Sequence, residues 1–294
     1  MLPAARVLPA ARVPPAAAAR RDTLAIGTRG SYRVGQQQLS LTEPARAGVT
    51  GQHLGSRTLR AEIMYPLMTA DHGSLPLLLF APGFMQCGGP YADLLRTWAS
   101  AGYVVAVVDF PRTDCRAGAA VDEADLVNQP ADMSYVLTRL LAMKAAPYGP
   151  LNPRQVAAAG QSDGGDTVAA LAAGTCCTDP RLAAAAVLSG AEWAPMPGRY
   201  FPHRAPPMLF VQGSADAVNP PWASVQLYQT DPARARYYLD LLGADHTTPY
   251  WGSNPVEQVV GRVTLAFFDR YVLGQARTLS AAGDAVLTSG GRLP

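Results

Sequence analysis

The chain has 294 residues, 49% of them apolar, and a mean hydropathy of +0.04, which suits a protein that buries one large core. Its formal charge is only +2, and its cations, all arginine except Lys144, are scattered instead of gathered into a stripe that tracks phosphates, so no nucleic-acid partner is expected. No apolar run reaches the roughly 18 to 20 residues that cross a bilayer, so no membrane span is expected either.

The opening "MLPAARVLPAARVPPAAAARR" repeats LPAARV and is interrupted throughout by Pro and Arg, so it lacks the continuous apolar stretch of a secretory signal. Residues 1–22 read as a disordered Ala/Pro-rich extension. Two β-rich stretches, 31–41 and 57–66, predict an antiparallel entry to a sheet. The pattern then changes. Residues 75–83, 103–110, 155–161, 182–190, 207–213 and 235–243 are short continuous apolar runs, the signature of parallel strands covered on both faces.

Helical patterns alternate with these runs. Pro90 opens one whose Tyr91, Leu94, Leu95 and Trp98 share a face, and Gly102 ends it. Asn128 and Pro130 open a second, with Met133, Val136, Leu137, Leu140 and Leu141 on one stripe; Asn254 and Pro255 open a third, closed by Gly274. Strand and helix taking turns predict an α/β domain over residues 23–275, with a mostly parallel sheet, helices on both faces and right-handed crossovers. Residues 276–294, rich in Gly, Ser and Ala, read as a loose tail.

The four cysteines match no zinc-ligand spacing and no paired histidines accompany them, so no metal site is expected. Cys87 and Cys115 each follow a predicted strand by a few residues. If those strands are neighbours the thiols can meet in a disulfide at one sheet edge; otherwise they are two separate loop thiols. Cys176 and Cys177 read as small buried residues at a helix end and not as a vicinal bridge.

Gly160-Gln161-Ser162-Asp163-Gly164 is a G-x-S-x-G between a predicted buried strand and a predicted small-residue helix. The bare pattern is weak, but in that setting it describes a sharp elbow that lifts a serine hydroxyl above the carboxyl edge of a sheet. A serine needs a base, and the base needs a carboxylate to hold its tautomer. Of the four histidines, His53, His72 and His203 lie in early or Pro-rich loops, and only His246 follows the last predicted strand. Asp216 lies three residues beyond the strand ending at Gly213, with Asp240 and Asp245 as competitors; a helix cap or Asx turn is its alternative role. Ser162, Asp216 and His246 then stand in the order nucleophile, acid, base. The backbone N–H groups of Asp163 and Phe84 are candidate donors to an oxyanion.

These segments resemble the α/β-hydrolase superfamily, and within it the branch of cutinase-like polyester hydrolases, platelet-activating-factor acetylhydrolases and dienelactone-hydrolase-like esterases. The likeness runs through "FAPGFMQCGGPYADLL", "VAAAGQSDGGDTVAALA", "MLFVQGSADAVNP" and "GADHTTPYW". It implies a carboxylic-ester hydrolase that needs no metal or cofactor, with a catalytic Ser162, Asp216 and His246 and an oxyanion hole at Phe84 and Asp163. It also implies that Phe84 and Trp193 flank the ester, ordinary hydrophobic lining being their alternative role. Only a short loop fits between Gly190 and Pro206, so no large cap domain is expected and the cleft reads as open, lined by Phe84, Trp193, Tyr250 and Trp251. The substrate expected is a small-molecule or polymeric ester. The elbow of the polyester hydrolases commonly reads His-Ser-Met where this chain has Gln161-Ser162-Asp163, and residues 113–137 are longer than theirs, features closer to the acetylhydrolase and dienelactone-hydrolase relatives. A peptidase or amidase, and a non-catalytic binding protein on the same scaffold, are the competing readings. Relatives are often secreted and the even cysteine count agrees, so the compartment leans extracellular. Oligomeric state is left open.

Overall fold

The computed structural model describes residues 30–68, 72–202 and 205–290; the extension expected over residues 1–22, and His203, lie outside them. Strand β1 (Val34–Glu43) is followed by a small ribbon of β2 (Arg46–Ala47) and β3 (His53–Leu54), and then by β4 (Arg57–Pro66). β1 and β4 pair antiparallel from Val34 opposite Pro66 to Glu43 opposite Arg57. The alternation then begins: β5 (Leu75–Ala81), α1 (Ala92–Ser100), β6 (Val104–Asp109), α2 (Gln129–Ala142), β7 (Leu151–Gln161), α3 (Asp163–Ala173), β8 (Ala184–Leu188) and β9 (Met208–Gly213). It closes with α4 (Pro221–Thr230), β10 (Arg236–Leu241), α5 (Pro255–Tyr271) and β11 (Ala285–Ser289).

The nine-stranded sheet runs β1-β4-β6-β5-β7-β8-β9-β10-β11. Its six central strands are parallel, and the antiparallel pairings are confined to the β1, β4 and β11 margins. Successive side chains of each strand enter opposite cores, as a period of two requires. Leu77, Leu79 and Ala81 pack with Met133 and Val136 of α2, Val168 and Leu171 of α3, and Leu227 of α4. Leu78 and Phe80 pack with Leu94 and Trp98 of α1 and Val260 and Phe268 of α5. Two apolar layers therefore sandwich one sheet, and both flanks are shielded from water. α5 begins at Asn254, whose side chain accepts the Val256 and Glu257 N–H groups, both at 3.0 Å.

The middle of the sheet is built from small residues. Ala157–Gly160 of β7 pair with Ala184–Val187 of β8, and α3 lies against both. A Cβ on Gly160 would sit 2.1 Å from the Gly164 carbonyl oxygen, and one on Gly164 would sit 2.0 Å from the Ala81 carbonyl oxygen. No side chain fits between backbones at that separation.

Because β5 and β6 are parallel neighbours, the loops after them run side by side, and a disulfide joins Cys87 to Cys115 with Cα atoms 5.4 Å apart. Two expectations are corrected. Cys176 and Cys177 are bridged to each other where the chain turns away from α3, half-buried against Leu126, Ala170 and Met196. The tail read as loose carries β11, which pairs along β10 from Tyr237–Ser289 to Leu241–Ala285 and covers a backbone edge that would otherwise be open. Its alternating small and apolar residues suffice for an edge strand, with Leu287 packing on the α1/α5 layer.

Gly164→Ala forces a backbone shift at the centre of the sheet and is expected to cost about 3 kcal/mol, read as a lower urea midpoint; an unchanged midpoint would mean that α3 does not approach β5 this closely.

Candidate active site

Four loops converge at the carboxyl ends of the parallel strands, where α/β sheets present ligands. After β7 the chain reverses at Ser162, whose φ of 56° and ψ of −125° lie in a region that side chains other than glycine rarely adopt. The Ser162 N–H is tied to the Leu188 carbonyl at 2.9 Å, and its own carbonyl accepts the Asp166 N–H at 3.0 Å to start α3. Held this way, its Oγ lies 2.9 Å from His246 Nε2. The other ring nitrogen, Nδ1, lies 2.7 Å from Asp216 Oδ2. An ionised carboxylate only accepts, so the imidazole proton belongs on Nδ1 and leaves Nε2 as the acceptor facing the hydroxyl.

Asp216 is 4% exposed and fully committed. Its Oδ1 accepts the Val218 and Asn219 N–H groups, each at 2.9 Å, which is the Asx turn, while Oδ2 accepts Gln212 Nε2 at 3.0 Å in addition to the imidazole. Turn and imidazole partner are thus one side chain. The competing acids are placed elsewhere. Asp245 caps its own loop through the Thr247 and Thr248 N–H groups at 2.9 and 2.7 Å, which lowers its pKa, and Asp240 sits in β10.

Phe84 is half-buried in the loop after β5. That loop lies on the elbow: a Cβ at Gly83 would be 3.2 Å from Ser162 Cβ. The next residue, Met85, has a φ of 56° and donates its N–H to the Thr113 carbonyl at 2.7 Å, which fixes the loop's exit. Asp163 occupies the first turn of α3, where N–H groups have no partner within the helix and the dipole is positive. Its carboxyl is 9% exposed with Oδ2 unpartnered, and burial, reinforced by Glu123, pushes it up to about 6. Asp166, one turn on, is pushed well above the usual carboxylate range by burial, and accepts the Ala191 N–H at 2.6 Å.

Of the aromatic residues expected to line the cleft, Trp193 is half-buried beside Leu126, Val127 and Met196. Trp251 is half-buried, its ring edge-on to Tyr91 at 6.2 Å. Tyr250 is a correction. It is fully buried, with its hydroxyl 2.9 Å from Ser189 Oγ and 3.2 Å from the Val211 carbonyl, so it anchors the loop after β10 and faces no cleft. A cleft of about 910 Å³ opens farther along the same rim between Leu54, Arg57, Arg112, Asp122, Asn128 and Pro195, and its walls do not include the Ser162 cluster. Cys87, Asp109 and Asp114 place ligand atoms within 4.8 Å of one another, but that sulfur is committed to its disulfide and Arg116 pairs with both carboxylates.

Sequence reasoning did not single out Gln212 or Tyr91 for this site, and took Gln161 only as a departure from a family pattern. All three are buried and hydrogen-bonded around the Ser162–His246–Asp216 chain. A polar residue inside an otherwise apolar strand run, such as Gln212 in "MLFVQG", is the signal that was available. Comparison with models of known protein families gives no match, and comparison with curated proteins gives none.

The Asp163 carboxyl binds its proton more tightly in the folded protein than in the unfolded chain, where it titrates near 3.9, so its burial costs stability that grows as pH rises between the two values. Asp163→Asn is expected to raise stability by about 1–3 kcal/mol at pH 8 and by little at pH 4, as read from urea midpoints at each pH; a gain independent of pH would exclude this cause.

Proposed function

We propose that the protein is a serine carboxylic-ester hydrolase of the α/β-hydrolase fold, working through Ser162, His246 and Asp216. The observation that carries this reading is the unbroken contact from Asp216 Oδ2 through the His246 ring to Ser162 Oγ, at 2.7 and 2.9 Å, with the serine on a positive-φ elbow between a parallel strand and a helix. A serine needed only for packing requires neither the imidazole nor a carboxylate holding four donors.

In the first half-reaction Ser162 Oγ attacks the ester carbonyl carbon as its proton passes to His246 Nε2. The negative oxygen that forms is met by the backbone N–H groups of Asp163 and Phe84. Collapse breaks the bond to the alcohol, which leaves with the proton from His246 Nε2. Water then attacks the acyl-enzyme, gives its proton to the same nitrogen, and the intermediate collapses to release the acid and restore the Ser162 hydroxyl. Asp216 stabilises the imidazolium at both stages. Activity falls in acid because protonated imidazole accepts nothing.

Among the described residues no helix lies between Leu188 and Met208, where a cap would be inserted. That supports an open site serving small or bulky esters, in the manner of the cutinase-like, acetylhydrolase-like and dienelactone-hydrolase-like branch. The hydrogen-bond chain on Ser162 supports acyl transfer over a purely binding role.

Purified protein is expected to hydrolyse short-acyl p-nitrophenyl esters and to be labelled at Ser162 by a fluorophosphonate. Ser162→Ala should abolish both, and Asp216→Asn, which misdirects the imidazole tautomer, should lower kcat by about 10³- to 10⁴-fold. Turnover unaffected by Ser162→Ala would end the proposal. A graded acyl series with a polyester film included separates the branches, since preference for long-chain lipids contradicts the uncapped site.

A further inference from the structure

A second set of hydrogen bonds joins the same loops from behind the serine. Gly83 donates its N–H to the Tyr91 hydroxyl at 3.1 Å, Tyr91 lies 2.8 Å from Gln161 Oε1, and Gln161 Nε2 lies 3.1 Å from the His246 carbonyl oxygen. Tyr91 and Gln161 are 0% and 2% exposed. The direction of the chain follows from its first member. A backbone N–H only donates, so the Tyr91 oxygen accepts there and spends its one proton on Gln161; the atom receiving it is the amide oxygen, and the amide nitrogen faces His246. Burial pushes the Tyr91 hydroxyl up to about 12, so it remains a donor throughout the working range.

We infer that Gln161, held by Tyr91, is a positioning residue that locks the base loop and the oxyanion loop to the nucleophile elbow. The inference rests on the hydrolase reading above and deepens it. Three segments distant in sequence meet at this amide: the loop after β5, which carries Phe84, the elbow itself, and the loop carrying His246. Gln161 is the last rung of β7, opposite Leu188 of β8, whereas Gly83 and His246 lie beyond the ends of β5 and β10. The Gln161 nitrogen also lies 3.3 Å from His246 Nε2, the nitrogen that receives the Ser162 proton. With the Nε2 lone pair facing the Ser162 hydroxyl, the amide N–H is directed to the His246 carbonyl. The amide therefore anchors the base loop without competing with the serine for Nε2, and its positive edge opposes premature protonation of that nitrogen. The acids facing the ring are Asp216, in direct contact, and Asp245, whose charge interacts with it. Gln161 adds a neutral dipole where a carboxylate would add charge.

The test uses the full chain, p-nitrophenyl butyrate, and Ser162→Ala as reference. Tyr91→Phe keeps the ring and removes the hydroxyl; Gln161→Leu removes both hydrogen-bonding ends. Misplacing the base is expected to lower kcat by about 10-fold in Tyr91→Phe and about 30-fold in Gln161→Leu, with KM within about twofold of wild type. The double variant should be no slower than Gln161→Leu, because both changes cut one chain. Gln161→Glu should move the acid limb of the kcat/KM profile upward by about one pH unit, as a carboxylate beside the imidazolium requires. Multiplying losses in the double variant, a loss confined to KM, or an unmoved acid limb in Gln161→Glu would each overturn the inference while leaving the hydrolase reading standing. Wild-type turnover equal to that of Ser162→Ala would instead remove the reading and the inference with it.

Discussion

Between β7 and α3 the backbone passes so close to itself and to β5 that a methyl group at Gly160 or Gly164 would fall about 2 Å from a carbonyl oxygen. Much of the rest depends on that approach. It lets the chain reverse within one residue, which puts Ser162 at a positive φ, and the strain there is offset by the N–H tie to Leu188 and the immediate start of α3. It brings the amino end of α3 to the carboxyl end of β5, so the first N–H groups of the helix and the Gly83–Phe84 loop share one corner. Alanine-rich stretches in β7 and β8 extend the same logic across the sheet, since larger side chains there would lift α3 away from its neighbours.

The site holds its carboxyl groups in two contrasting ways. Asp216 is buried with four donors on its two oxygens, the imidazole among them. Asp163 and Asp166 are buried at the start of α3 with few donors and with Glu123 adding to their repulsion, so both carboxyls are pushed above their usual range. An elbow whose first helical turn carried two ionised acids would oppose the negative charge that acyl transfer develops. Burial shifts both groups toward the protonated form, and the helix dipole offsets part of the opposition that their ionised forms exert.

The parallel core was legible because it is written in composition: every strand from β5 to β10 overlaps a short apolar run, β7 also reaching back to Leu151, and the helices other than α3 open at or just after a Pro or Asn. The order of Ser162, Asp216 and His246 along the chain was legible too, since few histidines compete and each residue follows its own strand. Tyr250 was misplaced because an aromatic beside the base reads alike whether it faces substrate or a buried serine; only Ser189 Oγ, 61 residues away in sequence, decides it. β11 was missed because an edge strand half open to water needs no apolar run. The Cys176–Cys177 bridge depends on a turn after α3 that no local pattern announces.

Two buried polar nodes explain why loops outside any ladder can hold angstrom-level geometry. Gln161 connects the loops after β5, β7 and β10. Ser189, at the end of β8 with a φ of 47°, connects those after β8, β9 and β10: its carbonyl accepts Asn219 Nδ2 at 2.7 Å and its hydroxyl meets Tyr250. The base loop belongs to both nodes, held through its own carbonyl at one and through Tyr250 at the other. Shifting either node would turn the imidazole about a different axis. The sheet brings the four loops to one rim, and these side chains, each with its donors and acceptors satisfied, set where within that rim His246 points.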